Sequence, residues 1–149
     1  MPYRVTRYRL LLVKDGSVHT SWDRQVRQPR DVADFMAPLA AGLDREHFWC
    51  LALDGKNRAS SLHVVSIGSL TAALVHPREL AKALIVSNSA AAIVVHQHPS
   101  GSPEPSREDE ELTRRLAQVG ELIGVKLLDH VVLGDQGTYV SLADRGLLR

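Results

Sequence analysis

The sequence predicts an α/β (α+β) domain in which helices pack on a central mixed sheet, and three observations carry that reading. Apolar runs of strand length alternate with runs of helical period. Pro29, Pro77 and the pair Pro105-Ser106 stand at the heads of the helical runs, where a proline or a hydroxyl cap fits best. The run from Ala90 to His96 is short and continuously apolar, as befits a strand buried on both faces.

Residues 3–13 read as a strand, Lys14-Asp15-Gly16 as a turn and residues 17–24 as the partner strand, giving an added N-terminal β-hairpin. Pro29 opens a helix through Leu43, with Val32, Phe35, Met36, Leu39 and Leu43 on its apolar stripe. Residues 46–53 form a strongly apolar strand, Asp54-Gly55-Lys56-Asn57 a turn, and residues 58–67 the next strand. A second helix runs from Pro77 to Ser87 and leads into the strand 90–96. Ser106 caps a third helix through Leu122, whose stripe is Leu112, Leu116, Val119 and Ile123, with Glu110, Glu111, Arg114 and Arg115 facing water. Strands at 125–133 and 138–141 close the fold. The expected organisation is one domain over residues 1–149, with residues 1–43 as a hairpin-plus-helix extension packed on it.

The bulk properties narrow the function classes. Apolar content of 44% and charged content of 23% are ordinary for a globular protein. No apolar run approaches the roughly 18 residues of a membrane span, and no hydrophobic leader precedes the domain, so a cytoplasmic location is expected. Cys50 is the sole cysteine, which excludes an internal disulfide and fits a reducing compartment. Residues 1–30 hold seven bases and two acids, whereas the other 119 residues hold eleven bases and fifteen acids. Such a basic edge reads either as a contact for nucleic acid or an acidic partner, or as charge that deters edge pairing; its dispersed bases favour the second.

The segment His96-Gln97-His98-Pro99-Ser100-Gly101 carries the chemistry. In an extended chain the His96 and His98 side chains point the same way. They follow the buried strand at its C-terminal end, beside a loop and a helix start, a favoured position for a site. The Pro- and Gly-containing loop allows Asp109 to fold back toward them. Two imidazoles and a carboxylate, with a fourth position open, describe a catalytic zinc site rather than a structural one. Asp109 has an equal alternative. Ser106 and Asp109 stand three apart at a helix start, which is the spacing of a capping box. His19, His47, His63, His76 and His130 read by default as ordinary surface or core residues.

His96-x-His98-Pro99 followed by Ser106-x-x-Asp109 resembles the metal-binding signature of the JAB/MPN (JAMM) zinc metalloproteases. The wider context is similar to the RadC-like branch. It includes Pro77-Arg78-Glu79, Asn88-Ser89-Ala90-Ala91-Ala92, Leu128-Asp129-His130 and Gly146-Leu147-Leu148, and the likeness covers residues 44–149. The resemblance implies a cytidine-deaminase-like three-layer fold with a curved mixed sheet, and one zinc ion per chain held by His96, His98 and Asp109. Gln97 stands where that branch commonly carries Asn; it is expected to point away from the metal with little consequence. In place of the helix-hairpin-helix module of many RadC-like proteins, the sequence offers a basic hairpin and one helix, which shifts the expectation away from DNA repair.

Hydrolysis also needs a base. Glu46 stands alone at the head of an otherwise apolar strand, where it reads as an exposed acid or as a desolvated carboxylate of raised pKa. The resemblance places the family's catalytic Glu on this strand and assigns Glu46 that role. It likewise gives Ser106 a second role besides capping, stabilising the tetrahedral oxyanion. Ser100, Asp129 and His130 are weaker candidates that would orient a ligand from behind. Cys50, flanked by Trp49 and Leu51, has no basic neighbourhood to form a thiolate and reads as core.

The leading functional expectation is a zinc-dependent peptidase or isopeptidase that cuts at the extended C-terminal tail of a ubiquitin-like or sulfur-carrier protein. The alternative is a RadC-like, DNA-repair-associated nucleic-acid-binding factor, for which Tyr3, Tyr8 and Trp22 provide little stacking surface. A metal-free scaffold would not need the intact ligand set. A two-His, one-carboxylate set also suits non-haem iron.

Overall fold

The computed structural model describes residues 1–68 and 75–148. Helix α1 spans Pro29–Ala40; strands β1 and β2 span His47–Leu53 and Ala59–Ile67; α2 spans Pro77–Val86; β3 spans Ala91–Gln97. Helix α3 then spans Arg107–Ile123, followed by β4 at Lys126–Leu133, a 3₁₀ turn at Asp135–Gly137 and β5 at Tyr139–Ser141.

The five strands form one mixed sheet in the order β2-β1-β3-β4-β5. Strand β1 is antiparallel to both β2 and β3, β3 is parallel to β4, and β4 is antiparallel to β5. The β3–α3–β4 connection supplies the parallel pair. Side-chain alternation divides the core into two layers. Trp49, Leu51, Leu53, Ile93, Val95 and Val131 pack with Val32 and Met36 of α1. Phe48, Cys50, Ala92, Val94 and Leu127 pack with Leu80 and Leu84 of α2 and Leu116 of α3. Every residue of β3 is buried, as its uninterrupted apolar run requires.

Three expectations need correction. The N-terminal hairpin does not form: residues 1–20 are exposed and in no regular element, and residues 3–13 pair with no strand among the described residues. A two-stranded hairpin with little to bury is marginal by itself, and Leu10, Leu11, Leu12 and Val13 find no layer to pack on. Trp22 packs on the domain, with its ring 5.2 Å from that of Phe35, and Gln25 forms an isolated bridge to Arg58. Helix α1 ends at Ala40 rather than Leu43. Pro38 removes an amide from its last turn, and Gly42 takes a left-handed conformation at φ +75°; Leu43 still packs on the α1 layer. On α3 the fully buried positions are Thr113, Leu116 and Gly120, so the inward stripe includes a polar residue that hydrophobic periodicity passes over.

Candidate metal centre

Sheet register positions the site. Phe48 pairs with His96 across β1 and β3. Continuing that antiparallel register by two residues brings Glu46, just before β1, level with His98. Glu46, Phe48, His96 and His98 therefore share the sheet face that carries α3, whereas Gln97 alternates to the other. Pro99 ends pairing, and the loop reverses at Gly101 (φ +90°), where a Cβ atom would lie 2.0 Å from the Asp135 carboxylate. The reversal delivers the start of α3, with Asp109 in its first turn, back over the two imidazoles.

One ligand atom from each of Glu46, His96, His98 and Asp109 lies within 4.8 Å of every other. His96 Nε2 and His98 Nε2 are 3.0 Å apart. Asp109 Oδ2 is 3.3 Å from the first and 3.1 Å from the second. Glu46 Oε1 lies 3.5 Å from His96 Nε2. Zinc–nitrogen and zinc–oxygen bonds near 2.0–2.1 Å give a tetrahedron with edges of roughly 3.3 Å. The His96–His98–Asp109 triangle fits that face.

Proton placement strengthens the fit. His98 Nδ1 lies 2.8 Å from the Ser102 carbonyl, which can only accept, so Nδ1 carries the hydrogen and Nε2 of the neutral ring presents a lone pair. His96 Nδ1 lies 2.7 Å from His130 Nε2, which leaves His96 Nε2 as its site-facing atom. Two ring nitrogens and a carboxylate oxygen thus converge in a partly buried space, an arrangement suited to a cation. The adjacent Asp109 carboxylate favours positive charge there and raises the His98 pKa against the effect of burial. Burial works to raise the Asp109 pKa, yet the His96 and His98 rings that face its carboxylate hold it well below the usual carboxylate range.

Asp109 is also a capping residue. Ser106 Oγ accepts the Asp109 N–H at 3.0 Å, and Asp109 Oδ2 accepts the Ser106 N–H at 2.8 Å. The capping alternative is realised, and it does not exclude the other, because a carboxylate oxygen can accept from the cap and still face the imidazoles. Glu46 is buried rather than an exposed strand-end acid. Ser106 itself is exposed, and its hydroxyl hydrogen is not used by the cap bond.

The weaker candidates separate. Ser100 is exposed in the turn, where its Oγ lies 3.5 Å from the Ser102 N–H. Asp129 turns away from the cluster and accepts from the His130 amide, the Ser141 hydroxyl and the Ala143 amide, at 2.7, 2.6 and 3.0 Å. It ties β4 to the end of β5 and the chain that follows, and burial raises its pKa against those bonds. His130 is fully buried, in contact with His96 and neutral, because burial lowers its pKa well below 6.5. It is not an ordinary core histidine.

The sequence reading passes over Thr113 and expects little consequence from Gln97. Thr113 bridges His130 and Asp109 through its hydroxyl; a Thr four residues after a first-turn Asp is a local cue for such a bond. Gln97 does point away from the imidazoles, but not idly. Its Oε1 accepts the His47 N–H at 2.8 Å and its Nε2 donates to the Arg45 carbonyl at 2.5 Å.

A family model described as RadC-like JAB domain matches residues 26–147, a region that takes in α1. The UPF0758 protein of Halalkalibacterium halodurans is 50% identical over 134 residues, covering 88% of this chain and 57% of that protein. That of Symbiobacterium thermophilum is 52% identical over 120 residues, covering 80% and 51%. That of Methanosarcina mazei is 47% identical over 126 residues, covering 85% and 55%. The chain spans about half the length of these curated relatives. No helix among the described residues is long and apolar enough to cross a membrane. With the family match over most of its length and the clustered Glu, His, His and Asp side chains, the chain belongs to the RadC-like JAB domain family.

Proposed function

We propose that the chain is a zinc-dependent peptidase or isopeptidase that acts at the C-terminal tail of a ubiquitin-like or sulfur-carrier protein. The observation that supports it most is the triangle of His96 Nε2, His98 Nε2 and Asp109 Oδ2 with the Glu46 carboxylate beside it. His96, His98 and Asp109 would hold the ion. Zinc in such a site lowers the pKa of a water toward about 7 and polarises a carbonyl.

The remaining chemistry falls to the chain's own side chains. Glu46 takes the proton of the attacking water and returns it to the leaving amine. Its shielded position at the head of β1 suits a group that must alternate between two protonation states. The Ser106 hydroxyl, already held by its cap bond to Asp109, donates its hydrogen to the developing oxyanion.

A cleft of about 500 Å³ begins at His98 and Pro99 and runs between Ala37 and Gly42 on one side and Gly134 and Thr138 on the other. Its many Ala and Gly residues leave room for a thin, extended segment that would end at His98, the one proposed metal ligand among its lining residues. That shape supports a flexible tail as substrate over a folded surface.

Metal analysis of protein purified without added metal, followed by incubation with ubiquitin-like fusions and mass spectrometry, tests the reading. One equivalent of zinc and a single cut at the tail are expected. Iron in place of zinc, or no product from zinc-loaded protein while Glu46→Gln behaves identically, overturns it.

A further inference from the structure

We propose that Thr113 and His130 form a buried relay that fixes the tautomer of His96, anchored on the main chain of the same Asp109 that faces the imidazoles. Both are positioning residues, and the inference rests on the metal-site reading above. The chain of contacts is continuous. The Thr113 hydroxyl lies 2.7 Å from the Asp109 carbonyl and 2.6 Å from His130 Nδ1. His130 Nε2 lies 2.7 Å from His96 Nδ1, and His96 Nε2 faces the cluster.

The polarity of this chain follows from its anchor. A carbonyl oxygen can only accept, so the Thr113 hydroxyl donates to Asp109. The hydroxyl has one hydrogen, so it accepts from His130 Nδ1–H. Neutral His130 then has a bare Nε2, which accepts from His96 Nδ1–H. His96 is left with its Nε2 lone pair facing the space it shares with His98 Nε2 and Asp109 Oδ2, where a cation would sit. Reversing the order would place a hydrogen on His96 Nε2, where a metal must bind, and would remove the hydroxyl bond to the Asp109 carbonyl.

The surroundings prevent water from substituting. Thr113 and His130 are wholly buried and His96 is 1% exposed. Phe48 closes one side, with its ring 5.9 Å from His96 and 5.4 Å from His130. Buried polar groups must then satisfy one another. Polar Thr113 on the inward stripe of α3 is thereby explained. A valine of the same shape would pack equally well but could not receive the His130 hydrogen. His130 would instead carry it on Nε2, donate to His96 Nδ1, and push the His96 hydrogen onto Nε2.

The test compares the full chain with Thr113→Val and Thr113→Ser. Zinc affinity is measured by competition with a chromophoric chelator, and histidine tautomers are read by ¹⁵N NMR on metal-free protein at pH 8. Wild type and Thr113→Ser should show His96 and His130 as Nδ1–H and bind zinc alike. Thr113→Val should shift both rings to Nε2–H and bind zinc roughly 10- to 100-fold more weakly. If Thr113→Val does not fold, His130→Gln, which offers a carbonyl oxygen to His96, should bind more tightly than His130→Leu. Unmoved tautomers or zinc affinity within twofold of wild type in Thr113→Val, or equal binding by the two His130 variants, overturns the relay. Wild type that binds no zinc yet shows the Nδ1–H pair overturns the metal reading and leaves the relay standing.

Discussion

Gln97 grips the main chain on both sides of Glu46. Its amide accepts from the His47 N–H and donates to the Arg45 carbonyl, so the two peptide groups flanking Glu46 are tied to the strand that carries the imidazoles. The residue between His96 and His98 thus faces the opposite side of the sheet and still acts on the site, by fixing the segment from which Glu46 projects. Replacing Gln97 with Leu should lower kcat roughly 10- to 100-fold, while zinc content and KM change little. Gln97→Glu keeps the acceptor for His47 but loses the donor to Arg45, and should fall between. Equal kcat in all three proteins, measured at saturating substrate, would remove Gln97 from the positioning of Glu46.

Glu46→Gln preserves shape and removes the titratable oxygen. Zinc should remain at one equivalent while hydrolysis falls by about 10²- to 10⁴-fold, the range of a general acid–base group. Metal analysis alongside turnover separates this from loss of the ion. Full activity in the variant assigns the base elsewhere.

Ser106→Ala addresses two roles at once. Loss of the cap should cost about 1 kcal/mol of stability, read as a small fall in melting temperature. Loss of an oxyanion donor should lower kcat by about 10²- to 10³-fold. A Ser106→Ala protein with the small stability loss and unchanged kcat leaves the residue a cap alone.

Removal of metal should destabilise the domain, since a ligand that binds only the folded state contributes about 2.7 kcal/mol when its free concentration is a hundred times Kd. Chelator should lower the melting temperature of wild type and leave that of His98→Ala unchanged. A chelator-sensitive His98→Ala protein retaining one equivalent of zinc refutes the ligand role of His98.

Cys50 gives a pH prediction. Burial raises its thiol pKa from 9.0 to about 12. Because the folded pKa is the higher one, its stabilising contribution is intact below pH 9 and is lost as pH rises toward 12. The thiol should resist a disulfide reagent at pH 8 in native protein and react at once in denaturant. Fast native labelling would show that β1 opens locally.

Strands, helices and their order were legible because each depends on local period and punctuation: Pro29 and Pro77 as first helical residues, the apolar run of β3, the cap at Ser106. His96, His98 and Asp109 could be singled out for a related reason. They lie within fourteen residues of chain, on a strand tip and the next helix start. Only the tertiary structure decided the rest. It left residues 3–24 without the expected hairpin, for want of a surface to bury them. It turned Gln97 onto Arg45 and His47, used Asp129 to hold Ser141 and Ala143, and joined His130 to Thr113. These pairings link distant segments or concern polar atoms inside an apolar layer. Sequence spacing registers side-chain direction and hydrophobicity; it does not record which buried donor must meet which acceptor once the sheet has closed.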